Sequence, residues 1–217
     1  MKNRYVILGA SRGLGQALYQ NLMKKNLAAQ FLLVSRKINE EPTKNHHHTI
    51  IFKNDFSVLP VAENLLTEIK NFKPTHIIYC AGGGPYGNFE TKKWSDHVWA
   101  LNVNFIFPAE LLHVLSTTPI LADHLKKVIF VGSAIAESQP DSKASSYAAA
   151  KHALKGLVTT VQLESTLSFK VKLFSPSYML TDLLPKNSIP RLDNKAESIE
   201  SAASRLAEFI DSNDNLG

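Results

Sequence analysis

Tyr147 stands four residues before Lys151 in the run Tyr147-Ala148-Ala149-Ala150-Lys151. On a helix, residues four apart share a face, so the phenol and the ammonium would stand side by side. Unperturbed, Tyr titrates near pH ~10 and Lys near ~10.4. A neighbouring ammonium stabilises phenolate and lowers the Tyr pKa. A Tyr tuned in that direction can exchange a proton with an alcohol or carbonyl oxygen. The chain has 6 Tyr and many Lys, so chance also produces this spacing, and context has to decide. Upstream, Val128-Ile129-Phe130-Val131-Gly132 reads as a buried strand, and Ser133 falls at its C-terminal end. In an open parallel sheet, ligands bind at that end of the strands. Ser133, Tyr147 and Lys151 can converge there, although a Ser after a strand is often only a turn residue.

A second group lies near the start. Gly9-Ala10-Ser11-Arg12-Gly13-Leu14-Gly15 directly follows the apolar run Tyr5–Leu8 and precedes an amphipathic stretch from Gln16 to Lys25. Glycines allow a tight turn and close backbone approach to a pyrophosphate. The start of the next helix adds unpaired N–H groups and partial positive charge. The spacing is G-x-x-x-G-x-G rather than the G-x-G-x-x-G of the common dinucleotide fingerprint.

These residues need a scaffold. Apolar, β-rich runs recur at Tyr5–Leu8, Gln30–Ser35, Thr49–Phe52, His76–Cys80, Lys127–Gly132 and Val171–Phe174. Helical patterns lie between most of them, at Gly13–Lys25, Val58–Asn71, Thr91–Ser116, Ser145–Leu167 and Glu197–Ile210. Strands alternating with helices predict βαβ units, hence an α/β fold with a doubly wound parallel sheet of the Rossmann type. The polar stretch Arg36–His48, which contains Pro42, is too broken for a crossover helix. No internal repeat or linker divides the chain. We read residues 1–217 as one domain, with a polar excursion at Asp182–Asn194 as a substrate lid.

Composition narrows the function. The 217 residues are 44% hydrophobic and 20% charged, enough for one sizeable core. The net charge of +5 comes from scattered pairs such as Lys24-Lys25, Lys92-Lys93 and Lys126-Lys127, with no basic run interleaved with aromatics. That reads as a solvated surface and predicts no nucleic-acid partner. No apolar run approaches the ~18 residues of a membrane span, so no membrane association is expected. The one cysteine, Cys80, cannot form a disulfide within the chain, which fits a reducing compartment and makes the cytoplasm the expected location. His46-His47-His48 has no Cys or carboxylate at a ligand-like spacing and predicts no metal.

Taken in order, these elements resemble the short-chain dehydrogenase/reductase family, its small single-domain branch related to ketoacyl reductases. The resemblance runs from about Tyr5 to Thr181. Gly9, Gly13 and Gly15 match the glycine motif, and Asp55 matches the acidic position beside the adenine. Cys80-Ala81-Gly82 resembles the family's N-N-A-G turn. Asn104 matches the Asn of the long fourth helix. Ser133, Tyr147 and Lys151 match the catalytic residues, and Pro176 through Thr181 resembles P-G-x-I-x-T. The chain departs from the pattern at several points. Leu8 replaces the usual Thr, Tyr79 and Cys80 replace two asparagines that brace the central sheet, and Ser177 replaces a Gly. Met179 replaces a branched residue, and Ser133 lies fourteen residues before Tyr147 where thirteen is common. The chain stops at Gly217 without the family's usual final strand.

The resemblance implies a cofactor site made of Gly9, Ser11, Arg12, Gly13, Leu14 and Gly15 around the phosphates. Ser35, Arg36, Asp55 and Phe56 would hold the adenosine end; Cys80, Ala81 and Gly82 form the floor, and Tyr147, Lys151, Pro176, Met179 and Thr181 surround the nicotinamide. The second strand ends Val34-Ser35-Arg36-Lys37, with no carboxylate for a ribose 2′-OH. Arg36 and Arg12 suit a 2′-phosphate instead, which predicts NADP(H). The function implied is an NADP(H)-dependent oxidoreductase acting on a small carbonyl or alcohol, apolar or mixed to judge by Leu183, Leu184 and Ile189. The pro-S hydride would pass to the carbonyl while Tyr147 donates the proton. Lys151 lowers the Tyr147 pKa and holds the ribose, Ser133 binds the substrate oxygen, and Asn104 anchors a water relaying protons to Lys151. The alternatives are a non-catalytic NADP(H)-sensing or scaffold protein on the same fold and, more remotely, an epimerase or dehydratase. Apolar residues along the two long helices, among them Phe105, Leu111, Leu112, Leu115, Leu154, Val158 and Val161, predict a two-fold homodimer.

Overall fold

The structure is a computed structural model that describes residues 2–38, 48–137, 141–164, 166–184, 186 and 188–212. Six strands form one parallel sheet: β1 (Arg4–Leu8), β2 (Gln30–Ser35), β3 (Thr49–Lys53), β4 (His76–Tyr79), β5 (Lys127–Val131) and β6 (Lys170–Phe174). Their order across the sheet is β3-β2-β1-β4-β5-β6. The chain starts in the middle, builds outward to β3, then returns to β4 on the other flank of β1. Val6 is accordingly level with Leu32 on one side and Ile77 on the other. The reversal leaves a crevice beyond the C-terminal ends of β1 and β4, where parallel sheets bind ligands.

Both faces of the central strands are covered, which is why they read as unbroken apolar runs; the edge strand β3 has no buried residue. Val6, Leu8, Leu32, Val34, Val128 and Phe130 point to one face and meet Leu65, Ile69, Phe107, Leu111, Leu154 and Val158. Those residues come from α2 (Glu63–Phe72), α4 (Phe107–Thr117) and α6 (Ser145–Glu164). Tyr5, Ile7, Phe31, Leu33, Ile129 and Val131 point to the other face. They pack on Leu14, Leu18 and Leu22 of α1 (Gly13–Lys25) and on Ala202, Leu206 and Ile210 of α8 (Ile199–Asp211). Three shorter helices, α3 (Trp94–Leu101), α5 (Pro119–Ala122) and α7 (Ile189–Leu192), complete the described helices.

Helix boundaries differ from the sequence reading, and the helix expected over Glu197–Ile210 spans Ile199–Asp211. The helix expected from Val58 begins at Glu63. Pro60 disfavours helical backbone before it, and Asp55 draws the chain into a turn by accepting from the Ser57 N–H and hydroxyl. The single helix expected over Thr91–Ser116 is α3 (Trp94–Leu101) and α4 joined by a π-turn at Asn102–Ile106. Asn104 causes the slip. Its Nδ2 donates to the Ala100 carbonyl at 2.7 Å, the acceptor an α-helix reserves for the Asn104 N–H. The Phe107 N–H then reaches back to Asn102, five residues away. The last long helix ends at Glu164 rather than Leu167.

The continuous helical run Trp94–Thr117 is 24 residues, long and apolar enough to cross a membrane, contrary to the sequence reading. Its Ala100, Val103, Phe107, Leu111 and Leu115 are buried against the sheet, the placement of a core helix. Lys127 also departs from the expected solvated surface. It is buried, and its Nζ donates to the carbonyls of Ile210 and Ser212, holding the C-terminal end of α8 where a cation is favoured. β6 forms one edge of the sheet. Among the described residues, the hydrogen bonds of residues 188–194 run to Thr181, Leu184 and one another, and Gln162 donates to the Val171 carbonyl of β6. Of the histidine triplet, His46 and His47 lie outside the described residues, as does most of the Arg36–His48 stretch.

Candidate active site

The glycine turn is shaped by how closely two chain segments approach. Gly9 has φ 92°, and a Cβ there would lie 2.5 Å from the Ala81 nitrogen. Only glycine lets β1 and β4 deliver their turns to the same point. A Cβ on Gly15 would lie 2.4 Å from the Gly9 carbonyl oxygen, so Gly15 lets α1 fold down on the turn. α1 begins after Arg12 with no side-chain cap and no acidic residue in its first turn. Its first N–H groups therefore face the crevice unpaired by any side chain, which suits an anion. The Ser35 hydroxyl donates to Ser11 at 2.9 Å and ties the turn to the end of β2. At that end Arg36 lies 3.9 Å from Asp55, while Arg12 lies 3.6 Å from Asp182. Burial pushes the Asp55 carboxyl up, but the Ser57 N–H, the Ser57 hydroxyl and Arg36 together hold it below its ordinary value.

Across the crevice, β5 ends at Ser133, which begins a short 3-10 turn over Ala134–Ala136. The Ser133 oxygen accepts from the Ile135 N–H at 3.3 Å, and its hydroxyl lines the cavity together with Tyr147. Lys151, one helical turn beyond Tyr147, is buried, and its Nζ donates to the Val131 carbonyl at 2.7 Å. The ammonium lies 5.6 Å from the centre of the Tyr147 ring. Burial pushes Lys151 down to about 8. Burial also raises the Tyr147 phenol; the nearby Ser133 hydroxyl opposes the rise and Tyr178 adds to it. The lowering of Tyr147 expected from Lys151 is not found, because desolvation of the phenol dominates. Cys80, beside Lys151, is held up at about 12 by burial, with the ammonium pulling it down.

A cavity of about 330 Å³ joins the two halves. Of the residues singled out from sequence, Gly9, Ser11, Arg12, Gly13, Leu14, Ser35, Arg36, Asp55, Phe56, Cys80, Ala81 and Gly82 line it. So do Ser133, Tyr147, Lys151, Pro176, Met179 and Thr181. Gly15 and Asn104 do not. Asn104 lies fully buried behind the floor, where it accepts from the Gly83 N–H and donates to the Gly83 and Ala100 carbonyls. Tyr79, read from sequence as the absence of a brace, supplies a different one: its hydroxyl donates to the Val103 carbonyl at 2.6 Å. Leu183 and Leu184 line the cavity; the Ile189 side chain lies outside the described residues. The sequence reading missed Tyr86, Asp141 and Tyr178, which also line it. They lie on three separate loops, with no spacing rule to connect them. Only their position just past β4, β5 and β6 could have flagged them.

A parallel sheet with its crevice at the order reversal, a glycine turn feeding an open helix end, and a Ser, Tyr and Lys on the opposite wall define a class of fold and site. The chain matches the family model for short chain dehydrogenases over residues 3–190. It belongs to that family of oxidoreductases. No curated protein matches it. Among solved structures, a short chain dehydrogenase family protein from Francisella tularensis is 18% identical with a TM-score of 0.79, over 98% of this chain and 92% of that one. A short chain dehydrogenase from Burkholderia cenocepacia, in complex with NADP, is 19% identical with a TM-score of 0.79, over 98% and 86% of the two chains. 4-Hydroxyisoleucine dehydrogenase, complexed with NADH, is 19% identical with a TM-score of 0.83, over 98% and 92%. At these identities the likeness is one of fold.

Proposed function

We propose that the protein is an NADP(H)-dependent carbonyl reductase. The observation that carries this reading is the convergence of Ser133, Tyr147 and Lys151 on the cavity that also holds the glycine turn. The open end of α1 and the close approach at Gly9 suit a pyrophosphate. Arg36 after β2, Arg12 in the glycine turn and no carboxylate at the end of β2 suit a 2′-phosphate. Asp55, the nearest acid, is already engaged by Ser57 and Arg36. The relatives in complex with NADP and with NADH are in keeping with a nicotinamide cofactor, and the arginines favour the phosphorylated form.

When bound, the cofactor supplies a hydride to the carbonyl carbon, and the chemistry of that transfer is its own. The protein's share is the proton and its placement. Tyr147 is protonated at neutral pH, because burial holds the phenol above 10, so it is ready to donate to the carbonyl oxygen. Ser133, on the same cavity wall, would position the same oxygen. Lys151, pushed to about 8, remains cationic at neutral pH and stabilises the phenolate left behind. Asn104 fixes Gly83 by its N–H and its carbonyl and, as the family resemblance implies, would anchor a water leading toward Lys151.

The test is a panel of ketones and aldehydes with NADPH, followed by loss of its absorbance. Turnover of at least one carbonyl compound is expected. Tight NADPH binding with no turnover across the panel would assign the non-catalytic sensing or scaffold reading instead.

A homodimer is part of the proposal. Leu111, Leu112, Leu115, Leu154 and Val158, read from sequence as interface candidates, are buried in the core, and Phe105 and Val161 pack against it. The outward apolar residues of this helix pair are others: Trp94 is 70% exposed, Leu163 is 83% exposed, and Val98 and Ile106 are also open. Sedimentation at several concentrations is expected to show a dimer that Trp94→Lys weakens. A persistent monomer would remove the interface.

A further inference from the structure

The cavity extends past Tyr147 to a wall that the carbonyl chemistry does not use. Three loops build it. The loop after β4 contributes Tyr86, the turn before α6 contributes Asp141, and the segment after β6 contributes Tyr178. All three are half-buried. Their backbones are fixed. The Gly87 N–H donates to the Lys143 carbonyl at 2.8 Å, stitching the first loop to the second. Asp141 accepts from the Lys143 N–H on Oδ1, and its carbonyl accepts from the Ala144 N–H. Tyr178 is pinned by the Glu197 N–H, which donates to its carbonyl at 2.8 Å.

Charge distinguishes this wall. Three carboxylates line the cavity: Asp55, Asp141 and Asp182. Asp55 is paired with Arg36 and Asp182 with Arg12. Asp141 has no Lys, Arg or His within ion-pair distance among the described residues. The cationic Lys151 is committed to the Val131 carbonyl. Lys92 packs over Gly87 but does not line the cavity. Asp141 Oδ2 accepts no hydrogen bond from the described residues and is open to a cation in the cavity. The two phenols beside it feel its charge: after burial, Asp141 is the next cause raising both Tyr86 and Tyr178. Aromatic faces also attract organic cations. Beyond them Leu183, Leu184 and Ile199 offer apolar surface.

We propose that Asp141, Tyr86 and Tyr178 form a subsite for a protonated amine, so that the carbonyl substrate is an amino ketone or amino aldehyde with an apolar body. This rests on the reading of the Tyr147 site as a carbonyl reductase. Asp141 takes the N–H of the ammonium, the tyrosines flank its carbon substituents, and the amine thereby orients the carbonyl toward Tyr147 and Ser133. The subsite acts on binding, not on the reacting atoms.

The experiment uses matched pairs at pH 7. Each pair is a dimethylamino ketone, with two, three or four methylenes between nitrogen and carbonyl, and the neutral ketone in which CH replaces the protonated nitrogen. A charge-assisted contact predicts that at least one amino ketone exceeds its neutral partner in kcat/KM by about tenfold or more, mainly through KM. In Asp141→Asn the ratio is expected to fall toward one, and in Tyr86→Leu to fall part of the way. A ratio near one at every spacer length overturns the subsite, as does a ratio that survives Asp141→Asn. If no ketone of either kind is turned over, the reductase reading fails separately. The subsite is then read by calorimetry with the corresponding amino and neutral alcohols on the NADPH-mixed protein. Tighter binding of the amino alcohol, abolished in Asp141→Asn, supports it, and equal affinities overturn it.

Discussion

Tyr147→Phe is expected to retain cofactor affinity and to lose turnover by about 10²-fold or more, the range of general acid catalysis by a positioned side chain. The substitution removes one oxygen from a half-buried ring and leaves the ring itself, so packing along α6 is kept. The drop in turnover should therefore appear in kcat with little change in NADPH binding, measured by absorbance and by fluorescence titration respectively. Near-normal turnover would remove Tyr147 as the acid and shift attention to Ser133, the other hydroxyl at the end of β5.

Arg36→Asp combined with Arg12→Ala is expected to weaken NADPH binding by about tenfold to a hundredfold for each guanidinium removed. That range corresponds to roughly 1.5–3 kcal/mol for a charge-assisted bond. NADH should be affected much less, so preference moves toward it. Each arginine has a carboxylate near it, Asp182 for Arg12 and Asp55 for Arg36, at 3.6 and 3.9 Å with both partners well exposed. Pairs so exposed contribute little, so exchanging a carboxylate for a phosphate costs the protein almost nothing. Titrating both cofactors against wild type and the double variant is the measurement. A wild type that already favours NADH overturns the assignment.

The sheet was legible because a parallel sheet buried on both faces leaves unbroken apolar runs, and all six strands match those runs within one residue at each end. The glycine turn was legible for a related reason: its function constrains the backbone, and glycine records that constraint directly at Gly9 and Gly15. The π-turn was not. It arises when the Asn104 side chain captures the Ala100 carbonyl, and helix periodicity carries no trace of such an event. The brace from Tyr79 to Val103 was misread as a loss because a phenol reaches farther than an amide and finds a different acceptor. The wall of Tyr86, Asp141 and Tyr178 could not be read either, since its members meet only through the topology of the sheet.

The helix run through Trp94, Asn104 and Thr117 faces two ways. Outward it presents Trp94, Val98 and Ile106. Inward, through Asn104, it grips Gly83 by both its N–H and its carbonyl. The thickness of one helix, about 10 Å, separates these two faces. Quaternary contacts on the outer face would thus act as a lever on the floor of the cavity, with Asn104 as its short arm. Were copies to associate on that outer face, a substitution there could reach the cavity floor through Asn104, although no substituted residue lines it.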